Sequence, residues 1–238
     1  MFIVALTGGI STGKSTVARM LQNEHGIPII DADYYARKVV EPGRRAWHKI
    51  VEEFGEGIIK ADRCIDRDKL GRIVFSDVAK RRRLNQITHP EIMREMIWMV
   101  FKYAFKGYAF VIMDLPLLFE INGDIMRFIH KIIVVTCEQD IQLKRLMERD
   151  VMDRNVELAK LKINAQMPLE EKACRANFVI DNNGDIEETR EQVKQVASIL
   201  KADRFHIKIR LFIGLGSLSL VLFTVYLSIH LGLFRWFT

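Results

Sequence analysis

Short apolar runs punctuate the chain at wide intervals. They are Phe2-Ile3-Val4-Ala5-Leu6, Ile27-Pro28-Ile29-Ile30, Tyr108 to Met113, Lys131 to Thr136 and Asn177 to Ile180. The fourth is apolar without a break from Ile132 to Val135. Unbroken runs of this length suit strands covered on both faces, as in a parallel sheet. Between them the pattern turns helical. Val17, Met20 and Leu21 share one face after the first run. Tyr34 to Val40 predicts a helix that carries Arg37 and is closed by Pro42-Gly43. From residue 44 to 107 the spacing is mainly helical, with Trp47, Ile50, Val51 and Phe54 in one set and Leu70, Ile73 and Val74 in another. Thr88-His89-Pro90-Glu91 reads as a capping box opening a helix through Phe101. Residues 139–172 are charged and helical, with Pro168 near the end. Helices alternating with parallel strands predict a doubly wound or related layered α/β fold.

The C-terminal end departs from this alternation. Leu211 to Ile229 runs nineteen residues without a formal charge, close to the roughly 20 residues that cross a bilayer core. Lys201, Arg204, Lys208 and Arg210 precede it, and Arg235 and Trp236 follow. Residues 211–233 are therefore expected to form a transmembrane helix, in preference to a terminal helix packed on the domain, with the domain before it on the cytosolic side by the positive-inside tendency. The mitochondrial outer membrane and the endoplasmic reticulum both suit such a tail.

The chain of 238 residues is long enough for one sizeable α/β domain with an insertion. Its net charge of +6 suits polyanionic ligands or an anionic membrane surface. No zinc-finger spacing or aromatic RNA-binding signature occurs, so no nucleic-acid partner is expected. Cys64, Cys137 and Cys174 lie far apart and form no C-x-x-C pair, which fits a reducing compartment.

The sharpest chemistry follows the first strand. Gly8-Gly9-Ile10-Ser11-Thr12-Gly13-Lys14-Ser15 fits G-x-x-x-x-G-K-[ST], a phosphate-binding loop, in the strand–loop–helix setting it requires. Backbone N–H groups and the helix dipole favour an anion there. Lys14 can reach the β- and γ-phosphates, and the Ser15 hydroxyl can ligand Mg²⁺. Gly8 through Ser15, with Thr16, are the expected ATP contacts. Asp33 lies just beyond the second strand, where open α/β sheets place ligands; the bland alternative is a helix N-cap. Asp114 ends the third strand as a metal-binding acid would, or as a turn cap.

Together these residues resemble the dephospho-coenzyme A kinase family. The resemblance rests on the loop, on Asp31-Ala32-Asp33 with Arg37, on His89-Pro90, and on Pro116-Leu117-Leu118-Phe119-Glu120. Gln142 to Leu146, Gln166-Met167-Pro168 and Ile180-Asp181-Asn182-Asn183-Gly184 extend it over roughly residues 1–200. It implies a P-loop kinase domain over 1–203, with a five-stranded parallel sheet and helices on both faces. Residues 44–107 would be a helical substrate insertion and 139–172 the lid. It further implies phosphorylation of the ribose 3′-hydroxyl of dephospho-CoA by ATP and Mg²⁺. In that reading Lys14, Asp33 and Arg145 are catalytic, with Asp33 the general base and Arg145 the lid arginine. Arg37 and His89 would join Asp33 in binding substrate, and Asn182 and Gly184 would lie against adenine. Two positions depart from the family pattern: Lys162 stands where arginine is usual, and Asn177 where aspartate is usual. The rival readings are another small-molecule P-loop kinase and a non-catalytic, tail-anchored nucleotide-binding scaffold. Oligomeric state is not legible.

Overall fold

A computed structural model of the protein describes residues 1–120, 124–149, 155–209, 211, 219, 223 and 224. Among these, the strands β1 (Phe2–Gly8), β2 (Ile29–Asp31), β3 (Phe110–Asp114), β4 (Ile129–Thr136) and β5 (Phe178–Asp181) form one five-stranded sheet. Their order is β2-β3-β1-β4-β5, and every pairing is parallel. The helices are α1 (Lys14–Asn23), α2 (Ala32–Lys38), α3 (Arg45–Phe54), α4 (Arg67–Ser76), α5 (Val78–Phe105), α6 (Gln139–Arg149), α7 (Val156–Asn164), α8 (Leu169–Cys174) and α9 (Ile186–Ala202). Each expected apolar run is a strand, displaced by two residues or fewer at its start.

Strand periodicity sorts β1 between two cores. Phe2, Val4 and Leu6 pack with Val17 and Leu21 of α1 and Val193 and Leu200 of α9. Ile3 and Ala5 face the other way, toward Val111 and Met113 of β3 and Met96 of α5. A third core lies within residues 44–107, where Trp47, Ile50, Leu70, Val74 and Ile87 meet. Asn177 helps start β5: its carbonyl oxygen accepts from Ile132 N at 2.8 Å while its own N–H donates to Ile132 O at 2.9 Å.

Two helix starts differ from expectation. No helix begins at Thr88. Instead α5 runs unbroken for 28 residues with Pro90 inside it. An internal proline removes a hydrogen bond at a cost of about 3 kcal/mol. Ile87, Ile92 and Met96 hold the helix on both sides of that point, and Pro90 itself is exposed, so water can reach the freed carbonyl. The Thr88 hydroxyl, read as a cap, instead donates to Leu84 O at 2.9 Å. Glu91, buried on the next turn, is ringed by Arg45, Lys49 and Arg94, which ties α3 to α5. The second difference is α2, which starts at Ala32 rather than Tyr34. Its cap is Asp31, which accepts from Asp33 N and Tyr34 N.

No helix among the described residues is long and apolar enough to cross a membrane. The expected span over 211–233 lies almost wholly outside the described residues.

Candidate functional site

At the carboxyl end of β1 the backbone turns through two left-handed residues, Ser11 at φ 58° and Gly13 at φ 91°, before α1 begins. No side chain caps α1, which leaves its first turn facing the loop. The cradle has no room for Cβ atoms. One at Gly13 would lie 2.0 Å from Asn182 Nδ2, and one at Gly8 2.8 Å from Val135 O. This is the nest geometry that receives phosphate oxygens.

The loop is held from outside by side chains distant in sequence. Ile10 N donates to Gln166 Oε1 at 2.8 Å, and Gln142 Nε2 donates to Ile10 O at 2.7 Å. Asn182 Nδ2 donates to Thr12 O at 2.7 Å, and its oxygen accepts from Thr189 Oγ1 at 2.9 Å. Lys172, wholly buried, donates to Gly8 O at 3.3 Å and pairs with Glu120 at 2.7 Å. Burial pushes the Glu120 carboxyl up, but hydrogen bonds from Lys172 and Met167 N outweigh this and leave it below its ordinary value.

Lys14 Nζ lies 2.5 Å from Asp114 Oδ1, at the end of the neighbouring strand β3. Burial raises the Asp114 carboxyl above its usual range, the Lys14 ammonium opposes that shift, and nearby Asp31 and Asp33 reinforce it. The sequence left Asp114 between metal ligand and turn cap; the structure makes it the partner of the loop lysine.

A cleft of about 430 Å³ opens above the loop. It is lined by Gly8 through Ser15 together with Asp33, Pro116, Arg145, Arg149 and Gln166. Among the described residues, Nη1 of Arg145 is buried with no hydrogen-bond partner. A buried donor left unpaired is costly, and phosphate oxygens would satisfy it. Nearby, burial raises the Cys137 thiol and Arg145 opposes it.

Other expected site residues lie elsewhere. Arg37 sits one turn past Asp33 on α2 and donates from Nε to Asp33 O at 3.2 Å, outside the cleft lining. His89 is exposed in the middle of α5. Asn182 is buried beneath the loop with its amide engaged, and Gly184 is exposed beyond β5. Sequence reasoning assigned no role to Gln142, Gln166, Glu120 or Lys172. The first three stood within quoted motifs, which was the available signal. Lys172, beside Glu170 and Glu171, reads as a solvated helix face and gave none.

A model of the dephospho-CoA kinase family matches residues 2–188. A Danio rerio protein named dephospho-CoA kinase domain-containing protein is 50% identical over 200 residues, covering 84% of this chain and 86% of that one. The dephospho-CoA kinase of Carboxydothermus hydrogenoformans is 47% identical over 191 residues, covering 80% and 90%. A solved structure of dephospho-CoA kinase from Campylobacter jejuni superposes with a TM-score of 0.62 at 30% identity, covering 82% of this chain and 95% of that one.

Proposed function

The chain belongs to the dephospho-CoA kinase family, and we propose that it transfers the γ-phosphoryl group of ATP to the ribose 3′-hydroxyl of dephospho-CoA. The observation that carries this reading is the single cleft in which the glycine cradle, Asp33 and the unpaired Arg145 nitrogen meet. The loop backbone and Lys14 hold the β- and γ-phosphates. Asp33 accepts the hydroxyl proton as the ribose oxygen bonds to the γ-phosphorus. The bond from that phosphorus to the β–γ bridging oxygen breaks, giving coenzyme A and ADP. Arg145 stabilises the charge spread over the transferring oxygens, a contribution suited to its planar fork.

Ser15 fits Mg²⁺, because its hydroxyl lies at the head of α1 in the cleft lining, next to the phosphate cradle. Mg²⁺ held by Ser15 would offset the negative charge on the phosphate oxygens. Arg37, from the turn after Asp33, and His89 complete the acceptor-binding set; Asn182 and Gly184 support the adenine end, Asn182 through the loop it braces. Residues 44–107 serve as the acceptor-binding insertion and 139–172 as the lid over the phosphates.

The substrate assignment is tested by ATP consumption of the full chain with dephospho-CoA against a panel of nucleosides and sugars. Turnover confined to dephospho-CoA is the expected result. Faster turnover with any member of the panel would replace the assignment.

The uncharged run from Leu211 and the basic residues before it support membrane anchoring through 211–233, with the kinase domain on the cytosolic side. Carbonate extraction and protease protection of intact organelles test it. An extractable protein would dismiss the anchor, and a protected domain would reverse its orientation.

A further inference from the structure

The end of the molecule opposite the phosphate loop carries an apolar surface that the phosphoryl-transfer chemistry does not use. Ile3 and Gly8 mark the two ends of β1, roughly 17 Å apart at about 3.3 Å per residue. At the Ile3 end a groove of about 400 Å³ runs between α5 and β4, lined by apolar side chains that include Ile3, Met93, Ile97, Phe101, Phe128 and Ile129. Aromatic side chains in its lining and on the adjoining surface of α5 are open to solvent. Trp98 is 66% exposed, Phe105 89% and Phe128 70%. Met93, Ile97, Phe101 and Phe105 recur every four residues, so they stand in one stripe along α5. Contiguous apolar exposure of this kind on a folded domain marks an interaction surface.

Charge decides the partner. From Met96 to Met113 there is no acidic residue, while Lys102 and Lys106 flank the stripe and are exposed. From Ile125 to Cys137 there is again none, and Arg127 occurs there; Asp124 precedes this stretch, and Asp203 lies 3.4 Å from His130 on the Phe2 side of the sheet. The chain after α9 returns to this same end. Phe205 stacks on His130, with ring centres 3.9 Å apart, and packs edge-on against Phe2. Phe2 and His130 adjoin Ile3 and Ile129 in the chain but face the other side of the sheet, so the chain after α9 reaches this end of the sheet on the face opposite the groove. From Arg204 to the C-terminus the sequence holds no acidic residue at all. A second copy seated symmetrically here would bring its lysines against these lysines. An anionic bilayer instead offers acyl chains to the aromatic stripe and headgroups to the basic rim, which is how interfacial helices bind.

We propose that this face, formed by α5 and the start of β4, seats the folded domain on an anionic lipid surface. The phosphate cleft then points away from the lipid. The contact is made by the domain itself and does not depend on whether residues 211–233 insert.

Trp98 supplies the probe. The full chain carrying Trp236→Phe, which removes the tail's own tryptophan, is mixed with vesicles of phosphatidylcholine and phosphatidylserine at about 3:1, an anionic leaflet of the required sign, with bromine on the acyl chains. Bromine quenches a tryptophan that touches the hydrocarbon. The expected result is quenching that is largely lost in Trp98→Phe and in the double variant Lys102→Glu with Lys106→Glu, with thermal unfolding unchanged in both. It should also be largely lost when the phosphatidylserine is left out. Quenching undiminished in Trp98→Phe would place the lipid contact elsewhere on the chain and overturn the proposal. So would shielding of Trp98 in the absence of vesicles: if it rises with protein concentration a second copy covers the face, and if it does not the C-terminal segment does. Carbonate extraction reports the tail separately, so failure of the anchor and failure of this face give different results.

Discussion

The two sides of the cleft are built differently. On the phosphate-donor side the loop is fastened from outside at Gly8 O, at Ile10 through both N and O, and at Thr12 O, by side chains of residues 142, 166, 172 and 182. On the proposed acceptor side Asp33 lines the cleft and stands exposed on the seven-residue α2, with Arg37 one turn on, outside the lining; α2 is held by the Asp31 cap and by an ion pair from Lys38 to Glu95 at 3.6 Å. The difference follows from what does the binding. Backbone N–H groups stabilise charge only where they are fixed in advance, so their loop needs external restraint. Side chains that receive a larger acceptor need access, and exposure provides it.

Substitutions on each side should separate the two. The largest effect is expected from Lys14→Ala, which removes the charge beside the transferring group. Turnover should fall about 10³-fold with the fold retained, as judged by thermal unfolding. Turnover close to wild type in the folded variant would remove Lys14 from the phosphates. On the acceptor side, Asp33→Asn should lower turnover by about 10²-fold while ATP affinity stays the same. A parallel loss of ATP affinity would erase the distinction between the sides. Joint replacement Gln142→Ala and Gln166→Ala leaves both polar groups of Ile10 unpaired, and ATP binding should weaken about thirtyfold, at roughly 1 kcal/mol for each lost hydrogen bond. Isothermal titration checks it, and unchanged affinity would mean the loop keeps its shape unaided. The smallest effect is expected from Lys162→Arg, which keeps the charge and adds a fork; rate and affinity should move by less than about twofold.

The sequence disclosed what is encoded locally. The five strands were legible because burial on both faces demands unbroken apolar runs, and the loop was legible because its glycines and Lys14 stand at fixed spacing. The reading of Thr88 failed because a capping box and a mid-helix Thr-x-Pro-Glu share letters, and only the cores on either side of Pro90 keep α5 continuous. The restraints on the loop escaped for a related reason. A lysine that follows two acidic residues predicts solvent exposure, whereas Lys172 is buried because Gly8, 164 positions away, offers it a carbonyl and Glu120 a carboxylate. Asn182 resembled part of a turn, and its role as a brace exists only once β5 lies beside β4 and the loop above them.

Helix α5 passes from the core around Trp47 to the core beneath β3, and Pro90 sits at the crossing. In mechanical terms the helix is a beam with one notch, cut where a proline nitrogen has no hydrogen to give. A beam bends first at its notch, so motion of residues 44–107 against the sheet concentrates there. Amide exchange along α5 should accordingly be fastest in the turn around Pro90, and uniform exchange would mean that the beam is stiff throughout. Glu91, gripped by Arg45, Lys49 and Arg94 on the adjoining turn, acts as the tether that limits the swing. The give proposed for an incoming acceptor would thereby be set at a single missing hydrogen, far from the loop.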